Sequence, residues 1–352
     1  MKTIIEKVDS ENPQKYEAVF MKAASVIKNG GLVAFPTETV YGLGANALDP
    51  IAVKKIYTAK GRPSDNPLIV HISDVTELNG VVVDVSEKAE KIINAFWPGP
   101  ITIIFKKREL IPMETSGGLS TVAVRFPENE TARFFIKKCG VPIAAPSANS
   151  SGKPSPTKAE HVKFDLDSRI DMIIDGGACK FGLESTIIDV SSEIPCLLRP
   201  GSVTKDMIEG IIGEINVDKA VLEKLSENEK PKAPGMKYKH YSPKADVKIV
   251  KGNAVDVAEK INAIVRENMI KGIKTGVIAT EQTRDMYKCD NILVIGSLNN
   301  PEEIASNLFD VLRKCDSFEV SQVFVEAFDE DGVGMAIMNR LKKAAGYNII
   351  NV

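Results

Sequence analysis

Apolar positions in the first part of the chain follow two rhythms. Short runs bounded by Gly, Pro, Asp or Ser read as strands: "GLVAFP", "PLIVHI", "ITIIFKK", "STVAVRFP", "PIAAP", "DMIID", "STIIDV" and "CLLRPG". Between them lie amphipathic stretches that predict helices: "NPQKYEAVFMKAASVIKNG", "DPIAVKKIYTAK", "SEKAEKIINAFW" and "ENETARFFIKKCG". Asn12-Pro13 and Asp49-Pro50 supply helix starts, and Gly30, Gly61 and Gly140 supply stops. The mixed order and the proline-broken strand ends predict an α/β or α+β domain, not a regular βαβ array.

Toward the end of the chain the alternation becomes regular. "ADVKIVKG", "KTGVIAT", "NILVIGS" and "VSQVFVEAF" read as strands. "NAVDVAEKINAIVRENMIKG", "NPEEIASNLFDVLRKCD" and "GMAIMNRLKKAA" read as the helices between and after them, which predicts a small parallel sheet. "GVGMA" is too short for a dinucleotide fingerprint and lies in the last unit, not the first.

Between the two patterns, "NEKPKAPGMKYKHYSPK" at 228–244 carries five lysines, one glutamate, three prolines and a glycine. It predicts neither helix nor strand. Its tyrosines and methionine fit a segment that packs over something. The expected division is a catalytic domain at 1–212, a linker strapped over its site at 213–244, and a small domain at 245–352.

Composition narrows the class. The 352 residues are 43% hydrophobic and 26% charged, as in a globular protein. No apolar run reaches the ~18 residues of a membrane span, and "MKTIIEKVDSENP" lacks a signal peptide's apolar stretch. Five cysteines without a Cys-x-x-Cys pair argue against a disulfide framework or zinc ribbon, and the expected location is the cytoplasm. The net charge of −2 gives no general pull toward nucleic acid.

No P-loop, H-E-x-x-H, G-x-S-x-G or kinase motif occurs, and His71, His161 and His240 are the only histidines. What recurs instead is hydroxyls and cations at strand ends. "AFPTETVYGLG" places Thr37, Glu38, Thr39 and Tyr41 after a strand, and "APSANSSGKPSPT" places serines and Asn149 after another. Lys60 and Arg62 stand where a helix gives way to a strand; Arg125 and Arg199 end strands. Ligands of open α/β sheets bind at such ends, and hydroxyls with loop amides suit phosphate oxygens. Four cations suit a polyanion such as a nucleoside triphosphate with a second anion. These residues define an anion-binding α/β protein and no particular reaction.

"PTETVYGLG", "KGRPSDNPL", "VRFP", "APSANSSGKPSPT", "LESTIIDV" and "LLRPG", in this order over roughly 15–203, resemble the YrdC-like family. With "PGMKYKHYSP" and the small domain, the chain resembles that family's two-domain threonylcarbamoyl-AMP synthases. The resemblance implies an open, twisted α/β barrel and a Rossmann-like second domain. It implies that L-threonine, bicarbonate and ATP give threonylcarbamoyl-AMP and pyrophosphate, the first step of threonylcarbamoyladenosine formation in tRNA, with the product passed to a separate transferase complex. Mg2+ is expected with ATP, held by no protein ligand, and no organic cofactor is expected.

By motif, the resemblance gives Lys60 and Arg62 a catalytic role. Thr39, His71, Arg125, Ala145 and Ser185 fall to L-threonine. Arg62, Asn66, Thr121, Ser147, Asn149, Ser155 and Arg199 fall to ATP, with Tyr241 and, less directly, Tyr238 from the linker. Two other readings are open: a carbamoyl-adenylate-forming enzyme of the hydrogenase-maturation type, and a noncatalytic RNA-binding module. Direct binding of tRNA is left open as well.

Overall fold

The computed structural model describes residues 2–223, 231–236 and 240–352. It divides into two compact units, Met1–Ser151 with Ser155–Lys237, and Gly152–Pro154 with Tyr238–Val352.

The first unit is built on one mixed sheet. Its strands are β1 (Ile4–Lys7), β2 (Val33–Phe35), β3 (Gly42–Asn46), β4 (Ile69–His71), β5 (Ile101–Lys106), β6 (Thr121–Arg125), β7 (Ile143–Ala144), β8 (Met172–Asp175), β9 (Thr186–Asp189), β10 (Cys196–Arg199) and β11 (Asn216–Val217). Their spatial order is β1-β8-β2-β3-β7-β4-β6-β5-β9-β10-β11. The strands read from the sequence are all present. The helix Pro50–Lys60 starts and stops as its residues dictate: the Asp49 side chain accepts from the N–H groups of Ile51 and Ala52, and Gly61 takes the left-handed conformation. The helices Glu17–Lys28 and Glu130–Cys139 close one face through a cluster of Phe20, Ile27, Phe35, Phe135, Ile136 and Met172. Burial of such side chains is the main force holding sheet and helices together.

β3 is not legible in the sequence, which leaves its residues in a glycine-rich loop. The glycines are there because neighbours come too close for a side chain. A Cβ on Gly44 would lie 2.8 Å from Ile143 Cγ2 and 3.2 Å from the Val33 carbonyl; one on Gly42 would meet Phe35 and Ala145 at 3.2 and 3.3 Å. Glycine inside a strand marks this close approach. β1 is likewise unread, because its largely exposed residues show no alternation.

The stretch read as a linker contributes to the first unit. β11 pairs in parallel with β10, and Asp218 caps the short helix Lys219–Leu222. Ala233 and Met236 are buried with Ile69, Ile104, Ala123, Ile187 and Leu198.

Among the described residues the second unit has five strands, β12 (Asp246–Lys251), β13 (Thr275–Ala279), β14 (Asn291–Val294), β15 (Gln322–Glu326) and β16 (Ile349–Asn351), in the order β14-β13-β15-β12-β16. Every pairing is parallel, as the strand–helix alternation predicts. The helices Ala254–Ile270, Pro301–Ser317 and Val333–Ala344 supply the crossovers. At the ends of β13 and β15, the buried Glu326 carboxylate accepts from the Thr280 N–H at 2.8 Å and the Thr283 hydroxyl at 2.7 Å. No helix among the described residues is long and apolar enough to cross a membrane.

Gly44→Ala should destabilise the protein by about 1–3 kcal/mol through overpacking. Gly80→Ala, at a helical position where an added Cβ meets nothing within 4 Å, should leave stability unchanged or slightly raised. Urea midpoints of the two variants check this; equal midpoints would show that β3 tolerates the methyl.

Candidate active site

Register places several of the candidate side chains in a row. His71 of β4 is paired with Arg125 of β6, Arg125 with Thr102 of β5, Thr102 with Ile187 of β9, and Ile187 with Arg199 of β10. Residues paired across strands put their side chains on the same face. The Thr102 and Ser185 hydroxyls are 2.7 Å apart, and Arg199 donates through Nη2 to Ser185 Oγ at 3.1 Å and through Nε to the Ser185 carbonyl at 2.9 Å. Arg199 Nη1 also reaches the Pro234 carbonyl at 3.4 Å, so the 231–236 segment borders the row.

Arg125 and Glu38 form a buried ion pair at 2.7 Å, each side chain 4% exposed. This brings the "PTET" loop to the end of β6. Within the loop, Thr37 donates its hydroxyl proton to the Val40 carbonyl at 2.7 Å. Its contact with the Thr39 hydroxyl at 2.9 Å therefore uses the Thr39 proton. Thr39 Oγ1 is left with lone pairs only.

His71 is constrained in the same way. Its Nδ1 lies 3.1 Å from the Ile69 carbonyl, which can only accept, so Nδ1 carries the proton and Nε2 is an acceptor. Burial, with the Arg125 charge alongside, lowers its pKa to about 3. The Ala145 N–H is spent on the same Ile69 carbonyl at 2.8 Å, leaving only its carbonyl for a ligand.

A second group surrounds the end of the helix Pro50–Lys60. Lys60 is buried, and its ammonium donates to the Ser147 carbonyl at 2.5 Å, the Asn149 carbonyl at 2.6 Å and Asn149 Oδ1 at 3.2 Å. Ser147 Oγ donates to the same Oδ1 at 2.6 Å. The resemblance gives Lys60 a catalytic role; in the structure its ammonium donates to three oxygens of the loop that carries Ser147 and Asn149. Arg62 folds over its own turn, donating to the Asn66 and Pro67 carbonyls at 3.4 and 3.1 Å. Asn66 Oδ1 is buried without a hydrogen-bond partner among the described residues. Ser155 donates to the buried Glu184 carboxylate at 2.5 Å.

Thr121 begins β6, four residues before Arg125 and on the same face, about 13 Å away at the rise of a strand. Tyr241 belongs to the second unit, where it is buried with φ 66° and its ring stacks on Phe309 at 5.1 Å. Tyr238 lies outside the described residues.

Thr102, Glu38 and Glu184 are absent from the site read in the sequence. Thr102 is the lone hydroxyl in the buried run "ITIIF", a signal that was available. Glu38 and Glu184 sit inside the quoted motifs, but only the fold reveals their partners.

A one-faced row of imidazole, guanidinium and hydroxyl on a mixed sheet in one unit, and a parallel sheet in the other, define a two-unit α/β protein with a candidate anion site. Residues 25–201 match the family model for Sua5, YciO and YrdC proteins, described as Telomere recombination. Residues 203–346 match the one described as Threonylcarbamoyl-AMP synthase, C-terminal domain. The chain is 46% identical over 348 residues to a threonylcarbamoyl-AMP synthase of Bacillus subtilis, covering 99% of this chain and 97% of that protein. It is 49% identical to the Pyrococcus abyssi threonylcarbamoyl-AMP synthase, covering 94% and 95%. A crystal structure of P. abyssi Sua5 complexed with L-threonine superposes with a TM-score of 0.90 at 46% identity, covering 100% of this chain and 99% of that one. The chain belongs to the threonylcarbamoyl-AMP synthase family.

The His71 geometry has a consequence for stability. Its folded pKa of about 3 is below its ordinary value of 6.5, so the unfolded chain binds the extra proton between these values and stability falls as pH drops through that window. Relative to His71→Gln, which has no such group, the natural protein should lose its advantage progressively below about pH 6.5. Urea unfolding of both at pH 7.5 and pH 4.5 measures this; a gap that widens in acid would show His71 to be protonated in the folded state.

Proposed function

We propose that the chain synthesises threonylcarbamoyl-AMP from L-threonine, bicarbonate and ATP, releasing pyrophosphate, as the first step of threonylcarbamoyladenosine formation in tRNA. One observation carries the amino-acid half of this reading. Thr39 Oγ1, His71 Nε2 and the Ala145 carbonyl offer lone pairs, while Arg125 offers donors. Acceptors suit an ammonium and a guanidinium suits a carboxylate, so the set is complementary to a zwitterion. Ser185, held by Thr102 and Arg199, completes the L-threonine set.

Arg62, Asn66, Thr121, Ser147, Asn149, Ser155 and Arg199 are assigned to ATP, with Mg2+ entering as the counter-ion of its phosphates. Tyr241 belongs to this set by motif, as the linker's contribution. The division into 1–212, 213–244 and 245–352 is part of the same reading.

The chemistry then follows. The deprotonated threonine amine attacks bicarbonate, forming the carbamate C–N bond with loss of water. A carbamate oxygen attacks the α-phosphorus of ATP, the α–β bridging P–O bond breaks, and pyrophosphate leaves. No protein nucleophile is required. Acceleration comes from holding the two reactants in line and offsetting charge on the phosphates. Lys60 acts through the 147–149 loop it organises, and Arg62 supplies charge at the turn. The product is an activated anhydride, which the chain hands to a tRNA threonylcarbamoyl transferase complex in the cytoplasm.

Pyrophosphate release from ATP should require L-threonine and bicarbonate together. Release without threonine would instead favour a carbamoyl-adenylate-forming enzyme, and RNA binding without turnover a binding module. Arg62→Ala should lower kcat/KM by about 10- to 150-fold, the loss of one charge-assisted contact of about 1.5–3 kcal/mol, and Lys60→Ala at least as much, because the 147–149 loop loses the charge that organises it. Normal turnover in both would remove them from the machinery.

A further inference from the structure

We propose that Glu38 is a positioning residue for the amino-acid substrate, holding the Arg125 guanidinium in the orientation that receives the substrate carboxylate. The inference rests on the assignment of Arg125 to L-threonine made above.

Glu38 is tied down at three points. Oε1 accepts from Arg125 Nη2 at 2.7 Å, Oε2 accepts from the Asn129 N–H at 3.3 Å, and its backbone carbonyl accepts from the Phe181 N–H at 2.8 Å. Asn129 caps the helix Glu130–Cys139, so the carboxylate is anchored to regular structure and also sits near the positive end of that helix. Arg125 by contrast is a long side chain with several rotatable bonds. Its planar fork binds a carboxylate well only when its plane is fixed.

The pair is 96% buried on both sides. Buried ion pairs contribute little net stability, because desolvation offsets the attraction. Arg125 also keeps a donor in reserve: its Nε is buried and has no hydrogen-bond partner among the described residues. A buried N–H without a partner costs free energy unless a ligand takes it up. Glu38 occupies one edge of the guanidinium and leaves the Nε side for the substrate.

The charge balance supports the same role. Glu38 neutralises Arg125, so this buried guanidinium carries no uncompensated charge. A zwitterion adds no net charge to the pair, whereas a simple carboxylate adds one. The pair therefore favours an amino acid over an acid lacking the amine.

Two variants separate reach from charge. Glu38→Asp keeps the charge but shortens the arm; Glu38→Gln keeps the arm and one of the two acceptor oxygens but loses the charge. Steady-state pyrophosphate release, with KM determined separately for L-threonine and ATP, is the readout, alongside thermal melts. Glu38→Asp should raise KM for L-threonine about tenfold, one misplaced charge-assisted contact, with KM for ATP nearly unchanged. Glu38→Gln, which removes the neutralising charge, should raise the L-threonine KM at least as much. An L-threonine KM unchanged in either variant overturns the proposal. A parallel rise of both KM values with a lowered melt identifies a general packing role and also overturns it. Arg125→Ala distinguishes the underlying assignment: if it leaves the L-threonine KM unchanged, the site reading itself fails, and if it raises that KM while Glu38→Asp does not, only the role of Glu38 fails.

Discussion

A buried ammonium must find an acceptor for each of its three protons, and Lys60 finds them in one loop. The helix Pro50–Lys60 delivers the charge to its own C-terminus, where the helix dipole favours a cation. The Ser147 and Asn149 carbonyls and Asn149 Oδ1 converge on it, and the Lys60 carbonyl in turn accepts from the Ser151 N–H at 2.8 Å. Serine, asparagine and glycine stretches have no reason of their own to hold a fixed shape. Here the lysine supplies that reason. Desolvation makes any unmatched proton costly, so the loop has essentially one way to close around it.

The sheet solves a different problem. Polar side chains from four strands have to meet although their strands are scattered along the sequence. The order β4-β6-β5-β9-β10 brings His71, Arg125, Thr102, Ile187 and Arg199 into one register row. Next to this row the same sheet carries Ile69, Ala123, Ile104 and Leu198, covered by Ala233 and Met236. Polar and apolar floor thus abut, and the apolar part keeps water from the flank of the buried charges. Low local polarity strengthens each remaining electrostatic contact.

Much of this is legible in the sequence, for physical reasons that differ by element. The helix Pro50–Lys60 carries its own caps, and the second unit's strands and helices alternate cleanly. β3 is hidden, because its glycines serve a close approach between Phe35, Ile143 and Ala145 that exists only after folding. Site residues follow the same division. Lys60, Arg62, Arg125 and Arg199 stand out as cations at element ends. The residues that orient them do not: Thr102 looks like one more strand residue, and nothing local tells that Glu38 faces Arg125 across 87 positions. Partner identity is a property of topology, and a single sequence records it only indirectly.

Proton placement ties these levels together. Thr37 gives its proton to the Val40 carbonyl, which obliges Thr39 to give its own to Thr37. The Ile69 carbonyl takes the Nδ1 proton of His71 and the Ala145 N–H together. Each of these bonds is ordinary by itself. Their joint effect is that the donors near the end of β4 are already committed, and what remains facing a ligand is lone pairs. Arg125 is the exception, held by Glu38 with donor capacity to spare. In the proposed L-threonine site, acceptors and donors sorted in this way discriminate by mismatch. A ligand with its polar groups reversed leaves buried groups unpaired, and the cost of those groups, more than the gain from correct ones, sets the selectivity.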